Sequence, residues 1–595
     1  MTHQTASVDQ RIAALRQQMK QQQIDAYLIP SSDPHQSEYV AEHWKAREWL
    51  SGFSGSAGTV VVTASHAGLW TDSRYFLQAE TQLAESEVVL HKQKIPHAPE
   101  HINWIAEQLP SGSKLGLDGR LFSVKQLRRL AKAFQEKSID IDSSQDLLDQ
   151  VWDNRPRLPK FPIFEHELQY AGLSRNGKLA QLRGKMTEHD CGYHLISTLD
   201  DIAWLFNLRG KDVDCNPVFI AYALIGEKIA YLFLDSDKLD EDLQASLRAD
   251  GVLVKQYNEI ESFLQRLDEK VLIDRSSINV QLFNCLQQAV SGPNICSDLK
   301  AVKSTSEIEH IRQAMRKDGV ALTRLFRWLE QELDKRTVSE FEVSEKLIDY
   351  RSQQEGYHGE SFPAIVGYKG NGAIVHYRPM PDTSAQIHKE GILLLDSGGQ
   401  YLDGTTDITR TIALSEPTEE QKRNFTLVLK GYISLDTLRF PQGTMGIQMD
   451  VLARQHLWQQ GLNYGHGTGH GVGFFLNVHE SPQGFAPSLG ARGTTVFQPG
   501  MLTSNEPGFY KTDEYGIRIE NLVVCQEYMK TAYGIFLSFE AVTLFPIDRS
   551  LIATDLLTPQ EKQWLNAYHK EVFDKLSPLL TEEEKDWMAD KCQAI

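Results

Sequence analysis

Thiols are scarce in this sequence and long apolar runs are missing. Six cysteines (Cys191, Cys215, Cys285, Cys296, Cys525, Cys592) are dispersed over 595 residues without a Cys-x-x-Cys pair. That excludes a zinc-finger or disulfide framework and fits a reducing interior. No apolar stretch approaches the roughly 18 residues needed to span a bilayer. Residues 1–10 have neither the basic flank nor the apolar core of a secretory leader. No membrane association is expected, and the cytoplasm is the expected compartment. Positive charge is also short: a net charge of -18 gives no electrostatic hold on nucleic acid. Low-complexity tracts are missing too.

What is present is ordinary globular composition in a chain too long for one core, so several domains are expected. The first 300 residues alternate helix and strand patterns. Ile12, Leu15 and Met19 recur at helical spacing. Ala26-Tyr-Leu-Ile29, Gly58-Thr-Val-Val-Val-Thr63 and Ala67-Gly-Leu-Trp-Thr71 read as strands, and residues 126–136 as a helix carrying Leu127, Leu130 and Phe134. An echo follows: Glu48-Trp-Leu, Gly58-Thr-Val-Val-Val and Leu69-Trp-Thr-Asp72 are matched by Ala203-Trp-Leu, Val218-Phe-Ile-Ala-Tyr and Tyr231-Leu-Phe-Leu-Asp235. Asp72 lies 23 residues after Trp49 and Asp235 lies 31 after Trp204, a difference that a loop insertion would absorb. The expectation is a duplicated α/β domain, with two unrelated α/β units as the alternative.

Proline-rich residues 154–162 read as a linker. Near residue 300 the pattern changes. Ser304 with Glu307 makes a capping box ahead of Ile308, Ile311, Met315, Leu322, Leu325 and Leu329. Thr337 and Glu340 are expected to start another helix with Phe341, Leu347 and Ile348 inside. Beyond residue 360 glycine and short strands dominate, with helix returning after Thr558. The expected domains are 1–153, 154–300 and 301–595.

The last of these holds five candidate metal ligands: Asp396, Asp407, His470, Glu506 and Glu520. Four carboxylates and one imidazole form a hard, oxygen-dominated set suited to Mn, Co or Zn, and four negative charges would neutralise two dications. Asp396 closes an apolar run, and residues 405–412 form a second run beyond a turn near Asp403-Gly404, so the two runs can pair as antiparallel strands with Asp407, Thr409 and Thr411 on one face of the second. Alone, such aspartates are usually solvated turn residues. In His466-Gly-Thr-Gly-His470-Gly, the glycines at 465, 467, 469 and 471 oppose helix. If extended, His466, Thr468 and His470 share one face, and the bare opposite face permits close backbone approach. Glu506 precedes Pro507-Gly508 at an expected strand end. Glu520 shares a face with Arg518, read as a clamp on a ligand carboxylate, while Ile517 and Ile519 face the core. Tyr510 reads as a wall residue with a hydroxyl near the site.

These segments closely resemble the metallopeptidases of the pita-bread fold and, within them, the three-domain cytosolic Xaa-Pro aminopeptidases. The resemblance rests on Trp70-Thr-Asp-Ser-Arg-Tyr-Phe-Leu-Gln-Ala79, Asn216-Pro-Val-Phe219, Asp403-Gly-Thr-Thr-Asp-Ile-Thr-Arg-Thr411, His466-Gly-Thr-Gly-His-Gly-Val-Gly473, Asn477-Val-His-Glu480 and Gly516-Ile-Arg-Ile-Glu-Asn521. It implies a multidomain α/β (α+β) chain with two creatinase-like N-terminal domains before a pita-bread catalytic domain with a helical tail. It also implies two divalent cations, manganese by preference, with cobalt and zinc as alternatives. Asp396 and Asp407 would hold one, Asp407 and Glu520 would bridge, and His470 with Glu506 would complete the second. The reaction implied is attack of a metal-bridging hydroxide on the bond between any N-terminal residue and a penultimate proline. Glu506 would act as general base, and His466 and His479 would stabilise charge on substrate oxygen. His376 would contact substrate near proline. Arg74 would reach the peptide from the first domain, though it reads equally as a surface arginine after a strand. A homodimer is implied by the same analogy.

Proline itself explains the need for a dedicated enzyme, since it has no N–H and a fixed φ. Its bond populates cis measurably, so a shaped pocket would select one isomer, with trans expected. One rival is a prolidase acting on Xaa-Pro dipeptides only, disfavoured by the second N-terminal domain. A non-catalytic pita-bread binding module and a metal-free creatinase-like hydrolase are both disfavoured by the complete ligand set.

Overall fold

The computed structural model describes residues 6–94 and 99–595, so the first half of the stretch read for a leader lies outside the described residues. Contacts divide the chain into two compact units. One comprises Met1–Glu165, Leu173–Asp214 and Val218–Cys296; the other comprises His166–Gly172, Cys215–Pro217 and Ser297–Ile595. Among the described residues no helix is long and apolar enough to cross a membrane.

The first unit opens with helix Val8–Gln21, started by a Ser7–Gln10 capping box and burying Ile12, Leu15 and Met19. Two six-stranded sheets follow. Edge to edge, the first runs Val89–Lys92, Ala67–Thr71, Thr59–Thr63, Ala26–Ile29, Lys114–Gly116, Asp140–Asp142. The second runs Val252–Gln256, Ala230–Leu234, Tyr222–Gly226, Tyr193–Ile196, Val271–Ile273, Ala289–Ser291. In each, the third strand pairs antiparallel with both neighbours and the other pairings are parallel.

Trp49 and Trp204 sit on corresponding helices, Ala46–Ser51 and Leu199–Phe206, and Asp72 and Asp235 each follow the second strand of their sheet. One detail of the sequence echo needs correction. Thr59 lies opposite Trp70 and Tyr222 opposite Phe233, so Thr59 corresponds to Tyr222 and residues 218–222 do not match 58–62. The extra length falls between the Trp204 helix and Tyr222, where Leu208–Arg209 pairs with Phe164–Glu165. Residues 154–162 form neither helix nor strand.

In the second unit the Ser304–Glu307 capping box starts helix Thr305–Leu333, along which Ile311, Met315, Leu322, Leu325 and Leu329 are buried. The next helix, Glu340–Ser352, is capped by Ser339 rather than started from Thr337, because Val338–Ser339 pairs with Gln386–Ile387. Val343 and Leu347 are its buried apolar residues; Phe341 is half-buried and Ile348 is 37% exposed, contrary to expectation. Strand Ile392–Ser397 lies between Ile365–Tyr368 and Ile408–Ala413, antiparallel to both. A six-stranded sheet runs Arg439–Pro441, Gly534–Ala541, Asn521–Thr531, Leu502–Asn505, Gly469–Gly471, Glu480–Phe485.

The region beyond residue 360 also holds two substantial helices that the glycine-rich reading missed, Glu419–Asp436 and Gly446–Trp458. The first buries Phe425, Val428 and Tyr432 in the same core as Leu395, Ile517 and Ile519. This core therefore backs the segments that carry Asp396, Asp407 and Glu520, while Leu502, on the strand before Glu506, and Val472, beside the His470 strand, belong to a separate core.

Candidate metal centre

Each candidate ligand is held at or beside a strand. Asp396 lies in Ile392–Ser397 and pairs with Thr409 across the ladder. Asp407 directly precedes Ile408–Ala413 instead of lying within a strand that starts at 405, because Gly404–Thr405 pairs separately with Gly399–Tyr401, and Glu506 directly follows Leu502–Asn505. Glu520 lies between strands Tyr515–Arg518 and Asn521–Thr531, with its N–H donated to Thr409 O at 3.2 Å. His470 is the middle residue of Gly469–Gly471. That strand needs its glycines: a Cβ on Gly469 would come within 1.8 Å of Ser504 O. Only with a bare backbone can the His470 strand lie so close to the strand leading into Glu506.

The result is a tight cluster. One ligand atom each from Asp407, His470 and Glu520 lies within 4.8 Å of the others, and all three residues are buried. His470 Nε2 is 3.4 Å from Asp407 Oδ2 and 3.5 Å from Glu506 Oε1. His470 Nδ1 lies 3.0 Å from Gly471 O; a proton donated there leaves the Nε2 lone pair facing the carboxylates. Thr409 Oγ1 donates to Glu520 Oε2 at 2.7 Å, and Ser504 Oγ donates to Glu506 Oε1 at 3.1 Å.

Arg518 is buried beside the cluster. Nη2 donates to Asp396 Oδ2 at 2.5 Å, Nε to Thr409 Oγ1 at 3.1 Å and Nη1 to the Tyr510 hydroxyl at 2.6 Å. The Tyr510 oxygen in turn lies 2.8 Å from His466 Nε2. The His479 ring meets the His470 ring edge-on, with centroids 4.3 Å apart. Thr468 does not join this group: its hydroxyl donates to Asp450 Oδ1 and meets the Tyr464 hydroxyl, and the strand covers only Gly469–Gly471, so the face expected to be shared by His466, Thr468 and His470 does not form.

The electrostatics are those of an under-neutralised anionic pocket. Burial, then repulsion from Asp396, pushes the Asp407 carboxyl well above the usual range. Glu520 is raised well above its ordinary value by burial, then by Asp407 and Glu506. Glu506 is raised by burial, against the pull of His470 and with repulsion from Asp407. Burial, followed by the neighbouring His479, holds His470 down to about 3, so its imidazole is neutral at neutral pH. Burial opposes the charge on Arg518, yet Tyr510, Asp396 and Glu506 raise its pKa well above the ordinary value. Asp396 Oδ1 is buried without a hydrogen-bond partner. Buried polar atoms are rarely left so. A bare carboxylate oxygen, three carboxyls resisting ionisation and a neutral imidazole are the donor set that hard or borderline dications satisfy.

His376 follows the turn Lys369–Ala373, and the preceding carbonyl, Val375 O, lies 3.5 Å from Arg518 Nη2. Arg74 belongs to the first unit, where Nε and Nη2 donate to the two oxygens of Asp72 at 2.8 and 2.7 Å. Sequence reasoning passed over Arg410. It is fully buried and donates to Glu520 O, Thr409 O, Pro546 O, Phe545 O, Asn521 Oδ1 and the Tyr568 hydroxyl. Its signal was an arginine alternating with Thr409 and Thr411 on a strand whose other residues are apolar.

A model of metallopeptidase family M24 matches residues 309–527, and one for the C-terminal region of that family matches 535–595. Two creatinase/prolidase N-terminal domain models match 11–151 and 154–307. The chain is 41% identical to a probable Xaa-Pro aminopeptidase P of Laccaria bicolor, over 99% of this chain and 94% of that one. It is 39% identical to aminopeptidase P2 of Arabidopsis thaliana, over 96% and 86%. The crystal structure of X-prolyl aminopeptidase from Caenorhabditis elegans, described as a cytosolic enzyme with a di-nuclear active site, matches with a TM-score of 0.95 at 33% identity, covering 99% of this chain and all of that one.

Proposed function

The chain belongs to metallopeptidase family M24, and we propose that it is an Xaa-Pro aminopeptidase using two divalent cations, manganese by preference. The observation that carries this reading is the convergence of Asp407, His470 and Glu520 within 4.8 Å of one another, beside a buried Asp396 oxygen that no protein donor satisfies. Asp396, Asp407, His470, Glu506 and Glu520 would hold the cations. When bound, these supply Lewis acidity toward a peptide carbonyl and acidify water.

The chain's own groups do the rest. Arg518 fixes the plane of the Asp396 carboxylate, and Thr409 fixes Glu520. Glu506 takes a proton at a carboxylate whose basicity burial has raised. His479, against the His470 ring, and His466, tied to Tyr510, face the substrate oxygen where charge develops. His376 and Arg74 contact the peptide, His376 on the proline side. The reading includes three domains, 1–153, 154–300 and 301–595, a homodimer and a cytoplasmic location; six free cysteines support a reducing compartment.

The test is substrate comparison. The expected outcome is release of the first residue from Xaa-Pro-Xaa peptides, with little cleavage when alanine replaces proline. Cleavage of Xaa-Pro dipeptides alone would make the enzyme a prolidase instead.

A further inference from the structure

Glu340 is completely buried and lies outside the metal centre. It is the first residue of helix Glu340–Ser352, where the helix dipole favours a carboxylate. Oε1 accepts from Tyr368 N at 2.8 Å and Asn371 Nδ2 at 3.0 Å. Oε2 accepts from Asn371 Nδ2 at 3.1 Å, the Tyr377 hydroxyl at 2.7 Å and Ala385 N at 2.7 Å. None of these partners is a cation, and all belong to one stretch of chain, 368–385. The clamp is reciprocal, because Glu340 N donates to Ala385 O at 3.1 Å.

A single carboxylate thus closes both ends of this segment and grips its middle beside His376. The same segment meets the metal-centre side at two points. Val375 O faces Arg518 Nη2, and Gly372 packs so closely on Gly516 that a Cβ there would come within 1.7 Å of Gly372 O. A carboxylate accepts from all these donors at once; the isosteric glutamine does not, since its amide nitrogen would face N–H and O–H groups. Unmet, those buried groups would drive the segment to rearrange.

We infer that Glu340 is a positioning residue that holds the 368–385 segment so that His376 meets the proline end of the substrate. This rests on the reading of His376 as a substrate contact. Glu340 touches no substrate and acts only through the segment it anchors.

Three variants of the full chain test it: Glu340→Gln, Tyr377→Phe and His376→Ala, with the double variant Glu340→Gln/His376→Ala. Two readouts are independent. Amide hydrogen exchange should quicken in 368–385 in Glu340→Gln, and less in Tyr377→Phe, with other segments unchanged. Unaltered protection there would overturn the anchor. On an Xaa-Pro-Xaa peptide, Glu340→Gln should lower kcat/KM by about tenfold to a hundredfold, chiefly through KM, at unchanged metal content. In the His376→Ala background it should cost nothing further, since both changes remove one contact. Multiplying losses would show that Glu340 acts elsewhere and would overturn the inference. If Glu340→Gln does not fold, Tyr377→Phe alone and combined with His376→Ala carries the same comparison. A silent His376→Ala would defeat the reading of His376 and the kinetic half of this inference, while exchange would still decide the anchor.

Discussion

Arg518 Nη2 donates to Asp396 Oδ2 at 2.5 Å, while Oδ1 of the same buried carboxylate has no hydrogen-bond partner. One oxygen is oriented and the other is left bare. The guanidinium also donates to Thr409 and Tyr510, so its own position is fixed. Arg518→Lys keeps the charge and loses the fork. Divalent-cation affinity and kcat/KM should each fall about 10- to 100-fold, read by titrating metal into the stripped protein. Affinity equal to the parent would show that the fork orients nothing.

Ligands and substrate contacts should separate cleanly. Asp407→Asn removes an anionic oxygen from the centre of the cluster, so bound metal and peptidase activity should both be lost. His479→Ala should keep the full metal complement, measured by elemental analysis, and lower kcat by about 100-fold. Equal metal loss in both variants would contradict the division.

A pH-dependent term in stability should come from Asp436. This carboxyl accepts from Trp564 Nε1 at 2.8 Å and from the Tyr432 hydroxyl at 3.2 Å, and burial pushes its pKa from 3.8 up to about 6. A folded-state pKa above the unfolded value favours the protonated form. Its contribution is therefore full below about pH 4 and lost as pH rises through about 6, an effect of up to roughly 3 kcal/mol. Asp436→Asn removes this dependence. Denaturant unfolding should show the variant gaining on the parent between about pH 4.5 and pH 7.5. A constant difference across that range would remove Asp436 from the pH profile.

The tail helix should matter to the centre it does not enter. Tyr568, on Pro559–Leu576, meets Arg410 Nη2 at 2.9 Å, and Arg410 Nη1 donates to Glu520 O at 2.7 Å. Arg410→Met leaves several buried carbonyls unmet and should cost about 3–5 kcal/mol of stability. Tyr568→Phe should cost about 1 kcal/mol. Thermal unfolding monitored with excess Mn2+ checks both, and an Arg410→Met protein as stable as the parent would refute a structural role for the Tyr568–Arg410–Glu520 chain of hydrogen bonds.

Much of the site was legible because its residues are chemically unusual where they stand. Asp396 closing an apolar run and His470 within alternating glycines both break local pattern; His470 lies in the cluster, and Asp396 is held by the Arg518 guanidinium beside it. The duplicate strand pattern was visible from Trp49 and Trp204, but its register was not, because the insertion carrying Leu208–Arg209 pairs with a distant segment. Helix Glu419–Asp436 was missed although Thr418 and Gln421 form a capping box at its start; glycine-rich neighbours masked a local signal. Ile348 is exposed although it fits an apolar stripe, because a one-dimensional stripe does not say which side of the helix the core covers. Arg410 stands out only as a charge on an otherwise uncharged strand, and Glu340 not at all, since what makes each a hub is long-range hydrogen bonding that sequence spacing does not encode.

The most direct measurement is a titration of chelator-stripped protein with Mn2+, following both metal bound per chain and cleavage of an Xaa-Pro-Xaa peptide. Activity should be absent at the start and return as the second equivalent binds. Full turnover in the stripped protein, or a protein that binds no divalent cation, would contradict a hydrolytic centre built on these five side chains.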